Sequence, residues 1–251
     1  LKSLNAQRES NEAARLSEPT PGPWRPPVDP EQTARFMKLW FMPDDLVTIG
    51  VLSDDGDQRS LWQTQTAERW ASLTTDELVG LQQGEGGRYR LQVAVNPVKG
   101  PCKTFKPGGN ESVREIYGLY LDLDVKPGSF SSQQAATNFV SRLDVKPTII
   151  IRNGNGGIHA WSRADGATQE DLKAFHAYAQ SKTDVSIDRL VDITRKLRLP
   201  GGVRYGSGGE RLVKISGGTG EKIDVGHLRA FSAEPYADKR AADKRVRRKS
   251  A

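Results

Sequence analysis

Short stretches in which apolar and polar residues alternate predict a series of β-strands. In a strand, successive side chains point to opposite faces, so alternation buries one face of a sheet and leaves the other polar. The stretches that alternate, or that form apolar runs bounded by turn residues, are 46–52, 89–95, 120–125, 147–151, 158–163 and 211–215. Two of these stretches flank the glycine-rich segment 153–157, which predicts a β-hairpin.

Helices are predicted where apolar residues recur every three or four positions or where capping residues open such a run. These helices are one with Phe36, Leu39 and Trp40 on one face, one opened by a capping box from Thr74 to Glu77, one capped by Ser131 or Ser132, and one at about 168–181. Periodicity alone therefore indicates a chain of mixed α and β structure.

The location of the charge changes how the basic composition is interpreted. The 251 residues carry a formal net charge of +6. Residues 238–251 hold seven Lys and Arg against two Asp, hence +5 of that total. The rest of the chain is almost neutral, so any contact with nucleic acid must use local patches and not a diffuse basic surface.

Cysteine content and hydropathy exclude several classes of protein. The single cysteine, Cys102, rules out a disulfide framework or a multi-cysteine zinc site within the chain. It is typical of a reducing compartment such as the cytoplasm. No apolar run approaches the roughly 20 residues of a membrane span, and no signal peptide is recognised, so no membrane partner is expected.

Composition also divides the chain into regions. Residues 1–30 are polar and then proline-rich, which is typical of an extended arm or linker. Residues 237–251 form a basic tail or linker, expected to be a solvated helix or a disordered extension. One domain is expected at 31–236. Within it, the loop 99–112 carries Lys103 and Lys106 and is long enough to be functional or mobile.

The first candidate for chemistry is the pair Asp122 and Asp124, which alternates with Leu121, Leu123 and Val125. Residues two apart share a face of a strand, with their roots about 6 to 7 Å apart. At ~4 Å two like charges repel by about 1 kcal/mol in water and about 4 kcal/mol at an effective dielectric of 20. This repulsion favours either a proton shared by the two carboxylates or a divalent cation bound between them. We interpret it as a metal site, although an exposed strand face also carries acids without any such role.

The second candidate is the glycine turn at 153–157, followed by His159. The turn has some likeness to a dinucleotide-binding fingerprint, but a strand follows it where that motif requires a helix. Glycine here would let a phosphate approach the backbone, with the imidazole as a further donor. A simple hairpin turn with a structural histidine is the alternative interpretation.

The third candidate is the basic stretch 188–214, with seven basic residues against three acids. Arg195, Arg198 and Lys214 alternate with apolar residues, as expected of cations held on a framework to meet polyphosphate. A solvated loop would account for at least some of the seven.

Taken together and in order, these motifs resemble the archaeo-eukaryotic primase superfamily, and more closely the primase-polymerases of plasmids, phages and related bacterial elements. The motifs are Leu-Asp-Leu-Asp at 121–124, Asn-Gly-Asn-Gly-Gly-Ile-His-Ala-Trp at 153–161, and Asp-Ile-Thr-Arg-Lys-Leu-Arg-Leu-Pro-Gly at 192–201, with Lys214 downstream. The resemblance covers about 88–215. It implies an α+β primase-polymerase core, in which an N-terminal α/β part and a C-terminal RRM- or ferredoxin-like part enclose the active site in a cleft.

The resemblance also implies roles for individual residues. The implied metal ligands for Mg²⁺ or Mn²⁺ are Asp122, Asp124 and Asp192, and these with His159 form the implied catalytic set. Implied nucleotide contacts are Asn153, Gly154, Gly156, His159, Arg195, Arg198 and Lys214. Asp188 competes with Asp192 as the third carboxylate, although Asp192 has the better spacing to the arginines. Gly202 stands where the family commonly has Thr, which puts the role of Lys214 in doubt.

The implied activity is that of a DNA primase or DNA-directed polymerase, a template-dependent nucleotidyl transfer. Its partners would be a single-stranded DNA template and primer and NTP or dNTP, in a bacterial cytoplasm, with any helicase domain or partner outside this chain. A catalytically inactive DNA-binding module for replication initiation is the alternative. A rolling-circle nuclease is disfavoured because the three histidines are scattered, and a P-loop ATPase because 217–222 lacks the required spacing.

Overall fold

The computed structural model describes residues 25–53, 60–83, 89–205, 209–226 and 229. Residues 1–24 of the expected arm and the whole expected tail at 237–251 lie outside the described residues. The described elements are α1 (Pro30–Trp40), β1 (Leu46–Ser53), β2 (Leu61–Thr66), α2 (Ala67–Ala71), α3 (Thr75–Gln83), β3 (Tyr89–Ala94), a 3-10 turn (Asn110–Ser112), β4 (Gly118–Leu123), α4 (Gln133–Arg142), β5 (Ile149–Arg152), β6 (Ile158–Arg163), α5 (Gln169–Ser181), β7 (Lys196–Arg198), β8 (Val203–Arg204), β9 (Arg211–Leu212) and β10 (Lys214–Gly217).

The first of two larger sheets contains β2, β1, β3 and β7 in that order, and every pairing in it is antiparallel. Its first three strands come from residues before 95, but β7 comes from the C-terminal part of the chain. The expected N-terminal part is thus completed by a C-terminal strand, and the two parts are not successive along the sequence.

The second sheet contains β10, β5, β6 and β4 in that order, also antiparallel at each pairing. Strand β6 lies between β4 and β5, so β4, α4 and β5 form a split β-α-β unit. The last strand, β10, joins at the β5 edge, opposite β4. Along the chain this sheet is built in the order strand, helix, strand, strand, helix, and its final strand lies beside β5 and not beside β4.

Helix α1 packs between the sheets and links their cores. Its N-cap Asp29 accepts hydrogen bonds from two backbone amides of the first turn. Phe36 and Trp40 are fully buried, and both rings meet the ring of Trp161 edge-on, with centroids 5.1 and 4.9 Å away. Helices α4 and α5 cover the opposite face of the second sheet. One apolar cluster runs through both sheets.

Most predicted elements are confirmed, and the differences have local causes. The structure selects Ser132 as the N-cap of α4 and pairs Thr74 with Glu77 in the predicted capping box. The stretch 211–215 is two strands, because the chain changes partner at Val213 from β8 to β5. Strands β2, β7 and β8, helix α2 and the 3-10 turn were not predicted. None of the described helices has the length and apolar character needed to cross a bilayer.

Candidate active site

The predicted site begins where β4 and β6 lie side by side in the second sheet. Asp122 pairs directly with His159 across the ladder, and Oδ1 of Asp122 lies 3.5 Å from Nε2 of His159. Leu121 and Leu123 point to the opposite face and are fully buried. The alternation predicted from the sequence is confirmed, because the aliphatic side chains enter the core while the acidic face turns toward the histidine.

Burial and neighbouring charge make Asp122 an unusual carboxylate. Its side chain is only 17% exposed, and its Oδ1 has no hydrogen-bond partner among the described residues. Burial, followed by the charges of Asp124 and Asp188, raises its pKa to about 7, while Arg195 opposes the shift. A buried carboxylate oxygen without a partner is costly to the fold, which is typical of a group kept for a ligand.

The glycine turn packs against the end of β4. Asn153 donates its backbone N–H to the carbonyl of Gly157 over 3.2 Å, and its side chain accepts from the amide of Asn155. A Cβ at Gly157 would lie 2.8 Å from the carbonyl oxygen of Leu123, so only glycine permits this approach. Gly154 has φ +83, in the left-handed region. The turn therefore lies beside the two carboxylates.

His159 is buried and neutral. Burial lowers its pKa to about 3, and the charges of Arg198, Arg195 and Arg204 act in the same direction. Its Nδ1 has no hydrogen-bond partner among the described residues. At physiological pH the imidazole can offer one N–H donor but no positive charge, which must come from the arginines.

Two sheets contribute the cations. Strand β7, at the edge of the first sheet, carries Arg198, and Arg195 directly precedes it; the main-chain oxygen of Arg195 accepts from Val95 over 3.0 Å. Arg204 comes from β8 and packs against the glycine turn, since its Cβ lies 3.0 Å from where a Cβ at Gly154 would be. No local signal distinguishes Arg204 from the other basic residues of 188–214.

Lys214 is placed differently. It pairs with Arg152 on β5, whereas its neighbour Ile215 pairs with Ile151, which pairs with His159. Because successive residues of a strand face opposite ways, Lys214 lies on the other face of the sheet from His159. It is exposed there. The structure does not bring Lys214 together with the other predicted residues.

The two candidates for the third carboxylate have different surroundings. Lys126 lies between Asp124 and Asp188, with its Nζ 2.7 Å and 3.2 Å from their Oδ2 atoms. The side chain of Asp192 instead accepts from the backbone N–H and hydroxyl of Thr194, over 2.9 and 2.6 Å. The charge of Asp188 is among the main causes of the raised pKa of Asp122.

The donor types fit a hard divalent cation. Mg²⁺ and Mn²⁺ prefer carboxylate oxygens, and Asp122 presents a buried one without a hydrogen-bond partner. Within the described part of the chain, no three His, Cys, Asp or Glu side chains are already assembled as a metal cage. Lys126 supplies the positive charge between Asp124 and Asp188 in this arrangement.

Solved structures share this arrangement of sheets. No family model matches the chain, and no curated protein sequence matches it. The archaeo-eukaryotic primase (AEP) domain of the primase-polymerase of cyanophage S-2L matches with a TM-score of 0.59 and 12% identity. The match covers 82% of this chain and 99% of that one. The chain has the fold of an AEP primase domain.

Two structures of another protein agree with the AEP fold. The primase RepB′ matches with a TM-score of 0.55 and 13% identity, covering 87% of this chain and 68% of that one. Its catalytic domain, in complex with initiator DNA, matches with a TM-score of 0.53 and 14% identity, covering 87% and 97%. The resemblance inferred from the motifs is thereby confirmed at the level of the AEP fold, mixed α and β with antiparallel sheets.

The electrostatics of Asp122 predict an unusual effect of Asp122→Asn on stability. Because the pKa of Asp122 is raised in the folded state, the folded protein holds this proton more tightly than the unfolded chain between about pH 4 and pH 7. The contribution of Asp122 to the free energy of unfolding therefore falls as the pH rises through this window. Above pH 7 we expect Asp122→Asn to be more stable than the wild type by on the order of 1 to 4 kcal/mol.

Urea unfolding at pH 4 and pH 8 without divalent metal measures this effect. The difference between the two proteins should nearly vanish at pH 4. A matched change, Asp76→Asn at a position 82% exposed, should leave stability almost unchanged at both pH values. Equal stability of Asp122→Asn and the wild type at pH 8 would contradict the prediction.

Proposed function

We propose that this chain is a DNA primase or polymerase domain, which transfers nucleotides to a growing strand on a single-stranded DNA template. The observation that carries the proposal is the direct pairing of Asp122 with a neutral, buried His159 beside a glycine turn, on an AEP fold. One protein with this fold is a primase in complex with initiator DNA. NTP or dNTP would be the substrate, and a helicase domain or partner would be separate.

The carboxylates proposed to hold Mg²⁺ or Mn²⁺ are Asp122, Asp124 and one of Asp188 and Asp192. Bound metal would supply the positive charge that activates a 3′ hydroxyl and eases the loss of pyrophosphate. The contribution of the chain is to hold Asp122 where ionisation is unfavourable without a cation, so that metal binding and loss of its proton are coupled. Lys126 contacts Oδ2 of Asp124, so a metal bound at that oxygen would displace the lysine.

Phosphate binding is proposed for the glycine turn, His159 and the arginines near them. The amides of the glycine turn, with Gly154 and Gly156 in positive φ, leave room for an anion near the backbone. Arg195, Arg198 and Arg204 would supply the positive charge, and His159 one neutral donor. The side chain of Asn153 stabilises the turn by accepting from the amide of Asn155, and this structural role accounts for Asn153 without a direct contact to nucleotide.

The finer architecture belongs to the same proposal. The residues of the second sheet carry the carboxylates and the histidine, whereas Arg195 and Arg198 come with the edge of the first sheet. This placement supports an active site in the cleft between an RRM-like part and the first sheet. A catalytic domain at 31–236 and a bacterial cytoplasmic setting, on a plasmid or phage replicon, are proposed on the same grounds.

A catalytically inactive DNA-binding module is the second candidate function. It is favoured by one observation: within the described residues the carboxylates are not assembled as a cage, and Lys126 neutralises Asp124 and Asp188. Nucleotide incorporation distinguishes the two functions. The inactive module would bind template without extending a primer, whatever metal is supplied.

Asp122→Ala and Asp124→Ala should each abolish nucleotide incorporation, because each removes a carboxylate from the proposed metal site without removing core volume. We expect rates at least 100-fold below the wild type on a primed single-stranded template with Mg²⁺ or Mn²⁺, which corresponds to about 2.7 kcal/mol or more of transition-state stabilisation. Asp76→Ala is the matched control and should retain activity. Near-normal incorporation by either site variant would disprove the metal assignment.

The third carboxylate can be assigned by comparing Asp188→Asn with Asp192→Asn. Because Asp188 is among the main causes of the raised pKa of Asp122, whereas Asp192 accepts hydrogen bonds from Thr194, we expect Asp188→Asn to weaken Mn²⁺ binding about tenfold or more, and Asp192→Asn to do so much less. Calorimetric titration of Mn²⁺ into the protein without nucleotide measures this directly. The reverse order would make Asp192 the ligand.

His159→Ala should weaken nucleotide binding more than template binding, because the imidazole is proposed to donate to phosphate. The expected loss is about 5-fold to 30-fold in nucleotide affinity. His159→Asn, which keeps an N–H donor, should recover part of it. Nucleotide and template affinities measured separately on each variant, with unfolding midpoints, provide the test. An equal loss of both affinities would favour a structural role for His159.

A further inference from the structure

A tight turn at 103–106 projects from the edge of the first sheet, away from the residues of the proposed active site. The backbone N–H of Lys106 donates to the carbonyl of Lys103 over 2.9 Å and closes the turn, with Thr104 and Phe105 at its tip. All four residues are exposed. Phe105, at 55%, is the most exposed large apolar side chain among the described residues. An exposed ring between two lysines is the composition of surfaces that stack bases and contact phosphates.

The turn is fixed on the sheet by three hydrogen bonds. The backbone N–H of Trp62 donates to the carbonyl of Thr104 over 2.7 Å, so the turn extends the sheet beyond β2. The N–H of Cys102 donates to Oγ1 of Thr64 over 3.1 Å, and that hydroxyl also contacts the sulfur of Cys102. Phe105 is therefore presented from a framework with a defined position, which lowers the entropic cost of binding a ligand there.

One face of the first sheet leads from this turn toward the active site. The cross-strand pairs place Trp62, Gly50, Gln92 and Arg198 in one row on this face. The indole of Trp62 lies over Gly50, where a Cβ would be 2.2 Å from the ring. The Nζ of Lys196 lies 5.6 Å from the ring centroid of Trp62. The other face of the sheet is core, with Ile49, Val93 and Leu197 buried.

This row of residues connects the turn to the site over a short distance. Three inter-strand spacings separate Trp62 from Arg198, which is about 14 Å. Arg198 is close enough to His159 to lower the pKa of the imidazole. Gln92, Lys196 and Arg198 are each half-buried, whereas Trp62 is only 8% exposed. The accessible polar and cationic groups of this face therefore lie on β3 and β7, on the side of the active site. A single strand that enters the site by this face would meet the turn first.

Resting on the proposed function, we propose that the turn at 103–106 binds the single-stranded template, with a base stacked on Phe105, and that the template continues toward the active site past the half-buried polar groups of β3 and β7. Lys103, Lys106 and Lys196 contact its phosphates. The chemistry recognised is an unpaired base next to a polyanionic backbone, which single-stranded DNA offers and duplex DNA does not. A merely structural turn that protects the edge of β2 from pairing is the alternative explanation.

Anisotropy titrations with a labelled single-stranded oligonucleotide and with a duplex of the same length test the proposal. Phe105→Ala should weaken single-strand binding about 5-fold to 150-fold, the range for loss of one base–aromatic stack, and change duplex binding little. Phe105→Trp should restore it, and Phe105→Leu, which keeps apolar volume, should not. Met42→Ala removes another exposed apolar side chain, 49% exposed, and is the control.

The lysines are tested by the salt dependence of binding. Lys103→Gln with Lys106→Gln should reduce the slope of log affinity against log salt by about 1.4, at about 0.7 for each phosphate contact to a single strand. Lys38→Gln with Lys173→Gln, two exposed lysines on α1 and α5, is the matched control and should leave the slope unchanged. Unfolding midpoints of all variants show that the fold is retained.

The outcomes separate this inference from the proposed function. Single-strand affinity of Phe105→Ala equal to that of the wild type, or an equal loss for duplex, would overturn the inference even if the wild type incorporates nucleotides. If Phe105→Ala selectively loses single-strand affinity but the wild type incorporates no nucleotide, the proposed binding surface would be supported and the proposed polymerase activity would be disproved. The binding assay contains neither nucleotide nor metal, so the two results are independent.

Discussion

The relative position of the two sheets depends on a small set of buried polar groups where the sheets meet. The indole N–H of Trp40 donates to the carbonyl of Val95 over 2.8 Å. Asn96 is buried; its Oδ1 accepts from the N–H of Tyr117 and its Nδ2 donates to the carbonyl of Ile193, each over 2.8 Å. Water cannot replace these partners in the interior, so losing one leaves an unpaired group. They fix the end of β3 against the start of β4 and the segment before β7.

The relative positions of the site residues depend on this junction between the sheets. Asp122 and His159 belong to the second sheet and Asp124 directly follows its strand β4, but Arg198 belongs to the edge strand of the first sheet and Arg195 directly precedes that strand. A shift of one sheet against the other would separate the cations from His159 while leaving each sheet intact. The stability of the fold also has to offset the burial of Asp122 without a hydrogen-bond partner, which is a cost typical of functional sites.

Local signals in the sequence were sufficient for the elements with strong periodicity or caps, such as β1, the capping box at Thr74 and the hairpin of β5 and β6. The resemblance implied that Asp122 and His159 belong to one site, but their direct pairing was not predicted, because register across a sheet depends on distant residues. Strand β2 was not predicted because its residues are mostly polar and only Trp62 is buried. The positions of Arg204 and Lys214 depend on which strands β8 and β10 pair with. The periodicity of the sequence contains no information about those pairings.

The insertion of β7 into the first sheet has a consequence for how the molecule assembles. Residues before 95 leave the edge of β3 open until the chain has built the strands and helices of the second sheet and returned more than 100 residues later. Closing so long a loop carries an entropic cost before the contacts form, and such topologies fold slowly. The two sheets are therefore parts of one cooperative unit, and a nascent chain exposes an unpaired strand until synthesis has passed residue 198.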